Sequence, residues 1–415
     1  MERASNLASQ LGPNPTSNIN KYAEKRPDDV VITAAYRTAI AKGRKGSFKD
    51  MDSSEVLAGL FKGLFEKSNL DPALIQDVVV GNVRNPGAGV TEHRAAALYA
   101  GIPAHVPFQA VNRLCSSGLV AVNDVANKII AGQIDIGIGA GAESMTKTFD
   151  PKGTKSLPKI FQDHPEASKC SIPMGITSEN VADRYNISRR EQDEFAAHSF
   201  EKAAKAQDAG LFEEEILPIT ARVINPKTNT EETTVVSKDE GIRRGVTADS
   251  LGRLKPSFRD SGSTHAGNAS QVSDGAAAVV LMRRSVAEKL GQPILAKYVH
   301  TKVVGVDPAV MGIGPGIAIP ALLEELGLTN DDIDIFEINE AFASQAIWSI
   351  KHAKIPLEKV NPKGGAIAFG HPLGATGARQ IATLLPELKR TGKRVGITSM
   401  CVGTGMGAAA LFIRE

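Results

Sequence analysis

Cys115 lies in Asn112-Arg-Leu-Cys115-Ser-Ser-Gly118, between an apolar run from Phe108 and a helical pattern of Leu119, Val120, Val122, Val125, Ile129 and Ile130. A thiol at a strand-to-helix junction is a candidate nucleophile, because the unpaired N–H groups and dipole of a helix N-terminus favour the thiolate. Small neighbours at Ser116, Ser117 and Gly118 leave the sulfur approachable. Much further along come a potential base, His371 in Gly370-His371-Pro372, a second thiol, Cys401 in Cys401-Val-Gly403-Thr-Gly405, and an amide, Asn339 in Asn339-Glu340-Ala341-Phe342. Each has a plain structural alternative. Either cysteine can be an inert buried thiol, His371 a satisfied core histidine and Asn339 a helix N-cap. Their joint placement at strand ends argues for one shared site.

The elements that must position these groups alternate strand and helix. Val30 to Ala35 reads as a buried strand, Val56, Leu57, Leu60, Leu64 and Phe65 as a helical face starting at Ser53 or Ser54, Gln76 to Gly81 as a strand, and Arg94 to Tyr99 as a helix capped by Thr91. After the Cys115 junction and its helix, a strand through Ile134, Ile136 and Ile138 runs into a glycine turn, Gly139-Ala-Gly141. The same syntax returns later. Ile333 to Glu337 reads as a strand, Ala366 to Gly370 as a strand running into His371, Ala378 to Leu388 as a helix, and Val395 to Thr398 as a strand ahead of the Cys401 turn. Alternating β and α units of this kind predict an α/β sheet with helices on both faces, and the recurrence predicts an internal duplication with Cys115 and His371 in matching places.

Residues 145–272 change character. They include a polar helix from Ser188 to about Asp208, with a capping-box signature at Ser188-Arg-Arg-Glu191, and β-like stretches at Glu215–Val223 and Glu232–Val236. An inserted domain is expected there, because a structureless connection of that length is uncommon. Residues 1–27 read as an arm, with Ala4, Leu7, Ala8 and Leu11 at helical spacing before Gly12-Pro13. The expected division is 1–27 as arm, 28–144 plus 273–293 as first half, 145–272 as insertion and 294–415 as second half.

At 415 residues, 42% hydrophobic and with a net charge of +2, the chain can bury a large core and carries no nucleic-acid footprint. Three cysteines without paired Cys or His spacing suit a reducing compartment and predict no metal site. Val395 to Ile413 is uncharged, yet Gly403, Gly405 and Gly407 break any helix there, so two buried strands and no membrane span are expected.

From Asp28 to Glu415 the sequence resembles the thiolase family. The resemblance rests on Asn112 to Gly118, Asn339 to Phe342, Gly364-Gly-Ala-Ile-Ala-Phe-Gly370-His371-Pro-Leu-Gly-Ala-Thr-Gly377 and Cys401 to Gly405. It implies duplicated βαβαβαββ halves in a five-layered α/β/α/β/α core with an inserted loop domain, in a homodimer. The implied activity is CoA-dependent cleavage of 3-ketoacyl-CoA through an acyl-Cys115 intermediate, with CoA as substrate and no bound cofactor. The same resemblance gives His371 as base, Asn339 as holder of a water at the enolate site, Cys401 as acid then base, and the N–H groups of Cys115 and Gly403 as an oxyanion hole. Ser270, in Ala266-Gly-Asn-Ala-Ser270, and Met174 would touch the pantetheine arm or acyl tunnel. Pro173 stands where biosynthetic relatives often have His, which leans towards a degradative acyl range. Lys363 departs from the family, which commonly has Asn, in a turn expected near the active-site strand.

Arg3-Ala4, five residues on, Gln10-Leu11 resembles a type-2 peroxisomal targeting signal, departing at Ala4. It implies the peroxisomal matrix, an import receptor as partner of the arm, and the β-oxidation branch of the family. The alternatives are a biosynthetic acetoacetyl-CoA enzyme using the same groups, a ketoacyl synthase, which would pair its cysteine with two histidines, and a non-catalytic lipid carrier, which would lack a reactive group. Gly137-Ile-Gly139-Ala-Gly141 lacks the strand, GxGxxG, helix order of a dinucleotide site.

Overall fold

The computed structural model describes residues 18–148, 157–225 and 227–415. The helix expected from Ala4 to Leu11 lies outside them. The first half runs β1 (Val30–Arg37), α1 (Ser53–Ser68), β2 (Asp77–Gly81), α2 (Val90–Tyr99), β3 (Phe108–Val111), α3 (Ser117–Ile130) and β4 (Ile136–Ser144). The intervening region supplies α4 (Met174–Arg184), α5 (Arg189–Asp208) and a hairpin of β5 (Ile219–Ile224) and β6 (Glu231–Val236), and β7 (Ser273–Arg283) then rejoins the sheet. The rest runs β8 (Ala296–Gly305), α6 (Gly314–Leu326), β9 (Ile335–Ile338), α7 (Ala343–His352), α8 (Ala366–Phe369), α9 (Thr376–Arg390), β10 (Val395–Val402) and β11 (Met406–Arg414).

Strand order across the sheet is β9-β10-β11-β8-β1-β7-β4-β2-β3. In the first repeat β3, β2 and β4 run parallel, in the second β9 and β10 do, and the remaining pairs are antiparallel. The topology therefore repeats. β1, β2, β3, β4 and β7 correspond to β8, β9, a lone parallel bridge between Phe336 and Val360, β10 and β11. The two repeats meet through Val31 with Lys297 and Ile32 with Ala296.

Five layers follow from which faces are apolar. Along β7, Ala276, Ala278, Val280 and Met282 join the core under α1, while Ala277, Val279 and Leu281 join the core shared with α3 and α9. Strands buried on both faces read as continuous apolar runs, as β7 does. α3 and α9 form the middle layer, packed on each other and on strands of both repeats, and α6 lies over a third core on the far face. Pro308–Leu326 is apolar enough to cross a membrane by length and composition, and it is mostly buried in this fold.

Four expectations are corrected. Ala366–Phe369 is a helical turn between Gly364 and Gly370, both at positive φ, and the third strand of the second repeat shrinks to the bridge at Val360. Gly139 and Gly141 lie inside β4, with no turn. They are glycine because an added Cβ at Gly139 would lie 2.5 Å from Val122 Cα, and at Gly141 2.0 Å from Gly374 O. Thr91 is inside α2, whose N-cap is Gly89 at φ +67°. Glu215 lies outside the hairpin, in a buried ion cluster.

Candidate active site

Cys115 is presented by a turn that its neighbours lock. Leu114 sits at φ +46°, a costly conformation for a branched side chain. Asn112 Oδ1 accepts from Leu114 N at 2.9 Å, Ser117 Oγ accepts from Arg113 N at 2.9 Å and donates to Leu114 O at 2.7 Å, and Ser116 Oγ donates to Arg113 O at 2.9 Å. Two buried serines and an asparagine thus satisfy the strained peptide groups. Their presence in the motif has this cause.

A helix terminus by itself favours the thiolate, and the structure reverses that balance. Although part of the residue's surface is open, burial pushes the Cys115 thiol up to about 11, against the N–H groups of Gly403 and of Cys115 itself, which hydrogen-bond its sulfur and pull the other way. The helix proper starts only at Ser117, two residues beyond the thiol. The resting thiol is protonated and needs a base.

His371 is buried in its neutral form. Burial, then the Arg379 guanidinium, push it down to about 3. Its Nδ1 is 2.6 Å from Thr376 Oγ1, which itself donates to Pro372 O at 3.1 Å. With the hydroxyl proton committed to Pro372, Nδ1–H is the donor to Thr376, and Nε2 keeps its lone pair. Asn339 Nδ2 then donates to Nε2 at 3.3 Å, and Asn339 Oδ1 is left buried without a protein partner. An orphaned buried carbonyl oxygen is a place for a water.

Asn339 does not cap α7, which starts at Ala343. Its N–H instead reaches Ser399 O at 2.8 Å, which sets it beside β10 and Cys401. Cys401 is fully buried, and its thiol is pushed well up by burial and then by Cys115, so the two thiols face one site. It shares an apolar cluster with Ala269, Met311, Ala341 and Phe342. An added Cβ on Gly403 would lie 3.0 Å from Leu114 Cδ1 and 3.7 Å from Met174 Sδ, which brings Met174 to the same place. Ser270 N donates to Ala341 O at 2.9 Å and His371 N to Gln271 O at 3.3 Å, so Ser270 borders the His371 loop. All seven sequence-derived site residues (Cys115, Met174, Ser270, Asn339, His371, Cys401 and Gly403) belong to this region.

Two roles are not legible in the sequence. Glu143, at the end of β4, is wholly buried among N–H donors, and burial pushes it up to about 7. Lys363 does sit in a turn, but it is buried, with Nζ 2.5 Å from Glu215 Oε2. Glu215 also pairs with Arg37 at 2.7 Å, and Arg37 with Asp239 at 2.7 Å. A conspicuous carboxylate in a glycine-rich strand is the only signal for Glu143. Among the described residues no group of three or more His, Cys, Asp or Glu side chains is arranged to hold a metal ion. A cavity of about 650 Å³ is lined by α1, α2 and Pro218 to Thr220, with none of these groups.

Comparison with known proteins bears on this arrangement. Residues 30–285 match the family model "Thiolase, N-terminal domain" and residues 292–414 match "Thiolase, C-terminal domain". A peroxisomal 3-ketoacyl-CoA thiolase of Yarrowia lipolytica is 66% identical over the whole of both chains. The crystal structure of the dimeric peroxisomal thiolase of Saccharomyces cerevisiae is 55% identical, covers 95% of this chain and 100% of its own, and superposes with a TM-score of 0.89. Another structure of the Saccharomyces peroxisomal 3-ketoacyl-CoA thiolase, described as five-layered with two core domains of identical topology, is 50% identical over 94% of this chain and 99% of its own, with a TM-score of 0.79.

Proposed function

The chain belongs to the thiolase family, and from that premise we propose how its residues divide the work. The reaction is the CoA-dependent cleavage of a 3-oxoacyl-CoA to acetyl-CoA and a shortened acyl-CoA, the last step of β-oxidation, carried out by a homodimer in the peroxisome. CoA enters as a substrate.

His371 Nε2 takes the Cys115 proton as the sulfur attacks the C3 carbonyl, the Cys–His logic of covalent catalysis. The C2–C3 bond then breaks, leaving an acyl group on Cys115 and the enolate of acetyl-CoA. The imidazolium and a water on Asn339 Oδ1 hold the enolate oxygen, and Cys401 protonates the carbon. In the second half-reaction the Cys401 thiolate takes the proton of the incoming CoA thiol, whose sulfur attacks the thioester. Cys115 leaves and recovers its proton from His371. The tetrahedral oxyanions formed on the thioester carbonyl sit against the N–H groups of Cys115 and Gly403, a type of site where one donor contributes about 3 kcal/mol.

The observation that carries this reading is a chain of contacts: Asn339 reaches the His371 ring at 3.3 Å and bonds Ser399, two residues before Cys401, whose thiol is within the influence of Cys115, while the Gly403 and Cys115 N–H groups already converge on the nucleophile. Met174 and Ser270 border the same place and would line the acyl and pantetheine path. The division of the chain follows the repeat: 28–144 with 273–293 carries the nucleophile, 294–415 the base, amide and second thiol, and 145–272 the cover. The arm, 1–27, would engage the import receptor. Pro173 ahead of Met174 favours a broad, degradative acyl range.

The test is a thiolysis assay with 3-ketoacyl-CoAs of four, eight and sixteen carbons. Turnover of the longer chains, absent in Cys115→Ala, supports the degradative reading. Activity confined to the shortest moves it to the acetoacetyl-CoA substrate.

A further inference from the structure

The nucleophile and its base arrive on different repeats, so something must hold their turns in register. α3 and α9 touch through glycines: an added Cβ on Gly118 would lie 2.6 Å from Gly374 O, and on Gly377 2.2 Å from Leu119 N. Such contacts set a distance of closest approach but not a direction. Direction needs hydrogen bonds.

One side chain makes them to both turns. Glu143 Oε2 accepts from Gly374 N at 2.9 Å, in the turn of His371, and from Val83 N at 3.0 Å. Its Oε1 accepts from Arg84 N at 3.1 Å and from Asn82 Nδ2 at 3.3 Å. The Val83 peptide is used from its other side as well. Val83 O accepts from Asn112 Nδ2 at 3.1 Å, and Asn112 Oδ1 holds Leu114 N at 2.9 Å. A continuous hydrogen-bonded path thus runs from the base turn through Gly374, Glu143, Val83 and Asn112 to the nucleophile turn.

We propose that Glu143 is a positioning residue that sets the Cys115–His371 geometry by clamping the His371 turn to the Asn82–Arg84 segment. The proposal rests on the assignment of Cys115 and His371 above. Four converging donors need two acceptor oxygens, which only a carboxylate supplies at this position. A glutamine would place an NH2 against two N–H groups, and an aspartate would withdraw the acceptors by one methylene. Neither change touches the substrate. Misplacement of reacting groups by about 1 Å is enough to cost roughly 100-fold in rate.

The experiment uses full-length Glu143→Gln and Glu143→Asp. It reads thiolysis kinetics, the rate of Cys115 alkylation by iodoacetamide, and the melting and size of the dimer. The expected result is a folded dimer whose kcat falls roughly 100-fold. KM for CoA and for the ketoacyl substrate should stay within about threefold, because binding groups are untouched. Alkylation of Cys115 should slow in parallel, a signature that a general loss of stability would not give. Wild-type kinetics in either folded variant would overturn the proposal. Loss of the folded dimer in both would overturn it too, making the carboxylate a folding determinant. Cys115→Ala, assayed beside them, tests the underlying assignment separately: thiolysis persisting there would sink the nucleophile and this clamp with it.

Discussion

The two repeats share a topology and, beyond the insertion that only the first carries, differ in the segment between third strand and third helix. In the first repeat a real strand, β3, leads directly from Phe108 through Val111 into the Cys115 turn, and it lies half-open at the sheet edge with Asn112 and Arg113 exposed. In the second the strand is a bridge at Val360, and the path to His371 is longer, buried except at a partly exposed Pro362, and includes the α8 turn. α5 covers it there. Ser199 Oγ donates to Glu340 Oε2 at 2.6 Å and accepts from Gly365 N at 3.1 Å, and Lys202 Nζ donates to Val360 O at 2.9 Å. The contrast teaches that duplication supplied a frame with two equivalent mouths, and that chemistry diverged by how each was finished. A strained open turn presents a nucleophile. A buried one keeps an imidazole neutral.

If that division holds, the largest effect comes from the base. His371→Ala should lower kcat by roughly 10³- to 10⁴-fold, with the fold intact, because the protonated Cys115 thiol loses its proton acceptor; steady-state thiolysis measures it, and a loss under tenfold would break the comparison. The next largest is in stability. Lys363→Met leaves Glu215 with one buried partner fewer and should cost about 3–5 kcal/mol in urea unfolding. Glu55→Gln, which breaks the half-buried pair with Arg222 in the cover, should cost about 1 kcal/mol or less. Equal losses would mean that the second repeat has no special dependence on its buried charges.

The most gradual effect is a pH slope. The folded value of His371 is depressed from 6.5 to about 3, so below pH 6.5 the unfolded chain binds the proton and the native site does not. Stability contributed above pH 6.5 is therefore lost as pH falls towards 3, by about 1.4 kcal/mol per unit at most. Urea midpoints from about pH 7 to 4 should fall less steeply for His371→Asn than for the parent chain. Parallel slopes would show that the imidazole is not buried neutral.

Legibility follows the same divide. Cys115 can be read because strand, turn and helix are contiguous there, with small residues written into the turn. The hairpin of β10 and β11 and the helix capped by Ser188, whose Oγ accepts from Glu191 N, are likewise local patterns. Around His371 the local pattern misleads. Ala-Ile-Ala-Phe suits a buried strand or a buried helical turn equally by periodicity, and what decides is tertiary: positive φ at Gly364 and Gly370, with Ser199 O 2.5 Å from where a Cβ on Gly364 would lie. The roles of Lys363 and Glu143 are illegible for a related reason. Their partners, Glu215, Val83 and Gly374, are far away in sequence, and no spacing rule announces them.

On this division of labour the first repeat carries the covalent chemistry, and the second moves protons and steadies the oxyanions. The direct measurement is to mix the protein with 3-oxodecanoyl-CoA in the absence of free CoA, quench in acid and map the peptides by mass. An octanoyl group on the Cys115 peptide, absent from Cys401 and Cys170, is the result predicted. An acyl group on Cys401, or release of acetyl-CoA with no adduct on Cys115, would contradict it.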